Sequence, residues 1–154
     1  MKLFRYSQLA AALLFLSAGI AVLAQESGYW YPSSQSAADV TGPVELKANR
    51  ITIEFVKIPM VQVRALTPDE ALAVFDVESA VAGSGALYHL KVPAATTFVS
   101  KNTLCGHDDT GWMATWASGK VLKISFFSGE KAPVLNFVAL NNSAERCGTY
   151  TYVR

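Results

Sequence analysis

With 154 residues, 51% of them hydrophobic, the chain is long enough to bury one core but too short to suggest several domains. Its 13 basic and 12 acidic residues leave a formal charge of +1. No basic patch suited to a phosphate backbone stands out, so nucleic acid is not an expected partner.

Lys2 and Arg5 precede an uncharged, largely apolar stretch from Leu9 to Ala24. A basic start, an apolar middle and a small-x-small end at Val22-Leu23-Ala24 are the pattern of a Sec-type signal peptide, residues 1–24. The stretch is shorter than the roughly 20 apolar residues that span a bilayer, and polar Gln25-Glu26-Ser27 follows. The expectation is therefore a periplasmic or secreted protein with no membrane span after cleavage. Loss of Lys2 and Arg5 would change the formal charge from +1 to −1.

Residues 25–43, rich in Ser, Ala, Gly and Pro, read as an N-terminal tether, and residues 44–154 as a β domain. Tyr29, Trp30 and Tyr31 stand out in the tether as a candidate partner contact, because rigid aromatics with a polar tip are favoured at interfaces. The alternative is that Trp30 docks the tether onto the domain. From Val44 the pattern alternates: Ile51, Ile53 and Phe55 share one face of a predicted strand, and Pro59 is expected to end it or to mark a bulge or edge. Alternation then resumes, with Val61 and Val63 expected inward and Gln62 and Arg64 outward. Thr67-Pro68-Asp69-Glu70 predicts a helix start: a capping threonine, a proline in the first turn and the glutamate of a capping box. One short helix through about Phe75 follows.

Beyond Gly83-Ser84-Gly85, Tyr88, Leu90 and Val92 share a strand face. Residues 112–127 predict a hairpin turning at Ser118-Gly119, with Trp112, Ala114 and Trp116 on one face and Leu122, Ile124 and Phe126 together on its second strand. Residues 133–140 are a further strand candidate, and residues 147–153 a closing strand. The sum is a mainly β chain: a single antiparallel β-sandwich or small closed barrel of six to eight short strands, with one short helix and one disulfide. A closing strand that pairs with an earlier one would hide a sheet edge.

The stretch from Thr103 to Trp112 concentrates the residues that look most like chemistry: Cys105, His107, Asp108, Asp109 and an Asp-Thr-Gly triplet. A zinc site needs three or four ligands, and only His89 and Cys147 add to the histidines and cysteines available. In an exported chain Cys105 and Cys147 are expected to pair with each other instead. No metal or cofactor is predicted, and His107, Asp108 and Asp109 remain as a minor polar-site candidate. An aspartic protease needs two such triplets sharing a proton, and the chain has one. No nucleophile elbow or other catalytic constellation is present, so no catalytic residue is predicted.

Asn102-Thr103-Leu104-Cys105-Gly106, Phe126–Gly129, the terminal Cys147–Tyr152 piece and the Val40–Ile53 stretch resemble an uncharacterised family of small exported Gram-negative bacterial proteins. The resemblance implies a periplasmic location and the cysteine pairing, and no activity.

The expected function is a non-enzymatic binding, inhibitor or envelope accessory domain whose partner is an envelope protein or a glycan. One alternative is a small-ligand carrier with an interior lined by Tyr88, Trp112, Trp116 and Phe126. The other is a hydrolase using the acidic residues near Cys105.

Overall fold

The computed structural model describes residues 26–78 and 80–154; the signal-peptide reading of residues 1–24 lies outside them. Eight strands form a closed antiparallel barrel in which each pairs with its neighbours in sequence and the eighth pairs with the first. They are β1 (Gly28–Pro32), β2 (Val44–Lys47), β3 (Arg50–Ile53), β4 (Val56–Ala65), β5 (Ser84–Val92), β6 (Thr110–Ser118), β7 (Val121–Ser128) and β8 (Arg146–Val153). Helices α1 (Gln35–Val40), α2 (Pro68–Phe75) and α3 (Phe137–Asn142) lie in the β1–β2, β4–β5 and β7–β8 connections. Of the two architectures expected, the chain adopts the barrel, and the β8–β1 pairing removes the open edges.

Alternation along the strands sorts side chains into two apolar layers. Ile51, Ile53, Leu122, Ile124 and Phe126 point inward and pack with Trp30, Tyr88 and Tyr152 in the barrel core. The outer faces of β6 and β7 are apolar too. Trp112, Trp116 and Phe127 form a second cluster there, with Val74 and Phe75 of α2, Leu140 of α3 and Leu135 just before it. A strand buried on both faces reads as a continuous apolar run, which is why the hairpin sequence shows weak polarity on either side.

Several expectations are corrected. The barrel begins at Gly28 rather than at Val44, because β1 and α1 occupy most of the stretch read as a tether. Pro59 lies inside β4, opposite Arg50, and does not end the strand. With β4 unbroken, the phase set by buried Ile58 and Met60 carries on, and Val61 and Val63 face solvent rather than the core. Phe55 leaves the face of Ile51 and Ile53 because it sits in the two-residue turn between β3 and β4.

The predicted helix forms as α2, with Thr67 and Glu70 completing the capping box and Pro68 in the first turn. Its C-terminus is held from the barrel: Lys123 Nζ donates to the Phe75 carbonyl and Arg146 Nη2 to the Val74 carbonyl, both at 2.9 Å. Two cations from neighbouring strands thus satisfy the free carbonyls of a helix that carries no basic residue in its own last turn. The strand candidate at residues 133–140 is α3 instead. Asn136 caps it by accepting from Ala139 N at 2.8 Å, and Leu135 and Leu140 seat it on the outer cluster.

Candidate functional site

The barrel interior is occupied by side chains. Trp30, Tyr88, Met113, Phe126 and Tyr152 are all fully buried within it. Trp112 and Trp116, expected to line it, turn outward beneath α2 and α3. At one end α1 brings Ala37 into the core, and Phe98 and Leu104 of the β5–β6 connection join it.

Among the described residues one carboxyl group lies inside. Glu26, just before β1, is 2% exposed; its carboxylate accepts from Tyr88 Oη at 2.7 Å and from Thr115 Oγ1 at 2.5 Å. Its carbonyl accepts from the Trp30 indole at 2.7 Å. Burial pushes the Glu26 carboxyl up to about 7, against the hydrogen bonds from Thr115 and Tyr88, which favour the ionised form. Burial, followed by the neighbouring Glu26 charge, pushes the Tyr88 phenol upward as well. From the sequence Glu26 read as part of the polar N-terminal tether that follows the signal peptide; only the folded chain shows that it enters the barrel.

The Cys105–Cys147 disulfide forms, with 4.9 Å between its Cα atoms. It ties the β5–β6 connection to the start of β8. Beside it Asp108 N donates to the Cys105 carbonyl at 3.2 Å, closing a turn through Gly106, whose φ is +64°. Asp109 Oδ1 accepts from Ala94 N at 2.7 Å and so holds the two ends of the connection together. His107, Asp108 and Asp109 line a surface cleft of about 700 Å³ together with His89, Glu130 and Glu145. Both histidines therefore meet in one cleft. His89 also stacks at a tilt on Trp112, with ring centroids 4.8 Å apart. Among the described residues no group of three or more His, Cys, Asp or Glu side chains is arranged to hold a metal ion.

The aromatic candidates separate. In β1, Trp30 points into the barrel and is fully buried, whereas Tyr29 and Tyr31 point outward and are 65% and 60% exposed. Trp30 is thus a core residue, with the Arg154 guanidinium 4.3 Å from its ring, and presents no surface to a partner. Phe55, expected on the strand face of Ile51 and Ile53, is 96% exposed at the β3–β4 turn. Tyr29 and Phe55 both border a second surface cleft of about 360 Å³, with Glu45, Thr52, Glu54 and Lys57. A hydrogen bond from Lys47, 2.8 Å away, is the main reason the Glu45 carboxyl lies below its usual range; Tyr29 adds another. No family model matches the chain, nor does any curated protein or solved structure.

Proposed function

We propose that the chain is an exported, non-enzymatic binding domain, periplasmic or secreted, that engages an envelope partner through its outer surface. One observation carries this reading: Tyr29, Tyr31 and Phe55 stay exposed on the β1–β4 side while the interior is filled with side chains. A carrier would need that interior space for its ligand. Large aromatics kept out of a core supply rigid contact area at low entropic cost. The helices α2 and α3 cover β6 and β7, on other strands of the barrel, and leave these rings accessible.

The test is affinity capture from an envelope extract, comparing the wild-type chain with a Tyr29→Ala/Tyr31→Ala/Phe55→Ala triple variant. Material retained by the wild type and lost by the variant, at equal melting temperature, is the expected result. Equal retention by both removes this face from the function. A hydrolytic reading draws on the cleft that gathers His89, His107, Asp108, Asp109, Glu130 and Glu145. It predicts turnover of an envelope polymer that Glu145→Gln or Asp108→Asn abolishes without altering the fold.

A further inference from the structure

We infer that the cleft between Tyr29 and Phe55 binds a neutral oligosaccharide; this rests on the surface-acting reading above and names its ligand class. Tyr29, Glu45, Thr52 and Lys57 are register partners across β1, β2, β3 and β4, so they form one row on the outer face of the barrel. Four strands spaced about 4.8 Å apart make that row about 14 Å long, which suits several linked sugar units better than one.

The row has the chemistry a sugar needs. The C–H face of a pyranose stacks on an aromatic ring, and Tyr29 and Phe55 offer exposed rings at the cleft. Sugar hydroxyls need acceptors and donors; Glu45 and Glu54 accept, Lys57 donates, and Thr52 does both. Among the described residues Thr52 Oγ1, in the wall of the cleft, has no hydrogen-bond partner.

Charge selects the ligand class. Lys47 is bound to Glu45 at 2.8 Å, the Arg50 charge also acts on Glu45, and Glu54 and Lys57 line the same cleft, so charges of both signs face a ligand. An anionic glycan would meet both carboxylates, and a cationic one both ammonium groups. A neutral polyhydroxylated chain meets neither penalty. The turn is also built against local preference. Glu54 holds φ +53° in a two-residue hairpin turn, where glycine or asparagine is usual, and Phe55 beside it buries almost none of its ring.

The experiment is a titration of the ¹⁵N-labelled mature chain, followed by amide chemical shifts. The probes are three neutral trisaccharides (cellotriose, maltotriose and N-acetylchitotriose), with trigalacturonate and chitosan trimer as charged counterparts. Saturable shifts at Thr52, Glu54 and Phe55 with a neutral probe are expected. Tyr29→Ala and Phe55→Ala should each weaken them about tenfold without lowering the melting temperature. No shift with any neutral probe overturns the inference, as does equal or tighter binding of a charged one. Shifts unaltered by Phe55→Ala overturn the location. If envelope capture depends on Phe55 while no saccharide binds, the surface-acting reading stands and the ligand class falls. If a saccharide binds while capture ignores this face, the cleft stands and the proposed partner surface falls.

Discussion

Glu26 and Trp30 show how much rests on single residues at the start of the barrel. Glu26 has its carboxyl raised from 4.5 to about 7 in the folded chain, so the native state holds the proton more tightly than the unfolded one. Its contribution to stability is then fully present below about pH 4.5 and is lost as pH rises through 7. A shift of that size corresponds to about 3 kcal/mol. Glu26→Gln keeps an uncharged side chain able to bond with Tyr88 and Thr115. We expect it to melt like the wild type at pH 4 and on the order of 10 °C higher at pH 8. Parallel melting curves for the two proteins at both pH values would contradict the burial argument. Trp30→Ala removes a fully buried ring and its bond to the Glu26 carbonyl, so a loss of roughly 3 kcal/mol or more is expected from thermal or denaturant unfolding. Tyr29→Ala, one residue earlier and facing solvent, should stay within about 0.5 kcal/mol of the wild type. From sequence the two positions could not be separated, because the stretch before Val44 showed no period long enough to assign faces.

Single elements were legible where their signals are local and obscured where tertiary packing decides. The α2 start was readable because Thr67, Pro68 and Glu70 carry the capping chemistry themselves. Its end was not, since the bonds to the Val74 and Phe75 carbonyls come from Arg146 and Lys123, far along the chain. Arg146→Ala or Lys123→Ala should each cost about 1 kcal/mol. Hydrogen exchange should quicken mainly in α2; a rise spread evenly over the barrel would show that the cation does not act on the helix end. Residues 133–140 read as a strand because a short apolar run has no period of its own, and the Asn136 cap and the seat under Leu140 settle it as helix. At the β3–β4 turn, Glu54→Gly relieves a left-handed backbone and should stabilise by about 1 kcal/mol. The same change removes a carboxylate from the proposed saccharide cleft, so it should gain stability while losing saccharide affinity. A variant that gained both would detach the strain from function.

At the scale of the whole molecule, alternation from Val44 onward was enough to read a closed or stacked β fold, and the expected pairing of Cys105 with Cys147 marked where it is tied. The closing strand was legible in Cys147–Val153, but its partner at the N-terminus was not, since β1 is five residues long and hidden in a polar stretch. The candidate clefts were the least legible part. His89, Glu130 and Glu145 come to His107 only because antiparallel order brings the β5–β6 and β7–β8 connections to one end of the barrel. That geometry gives the disulfide its role. The β8–β1 seam is the shortest in the barrel, registered through Tyr31 with Val153 and Pro32 with Tyr152. It is backed by the 2.6 Å hydrogen bond between Thr41 Oγ1 and Tyr152 Oη and by Ser33 N donating to the Thr151 carbonyl at 2.8 Å. The disulfide fixes the other end of β8 across a sequence separation of 42, a loop whose closure is worth about 4 kcal/mol in the chain-entropy model. Reduction, or Cys105→Ser with Cys147→Ser, should therefore lower stability by about that amount. In hydrogen exchange the loss of protection should appear first in β8 and β1, with β5 to β7 the last to open, because those central strands are packed on both faces. Unchanged melting on reduction would mean that the short seam closes without the bridge, and protection lost first in β6 would place the weak point elsewhere in the barrel.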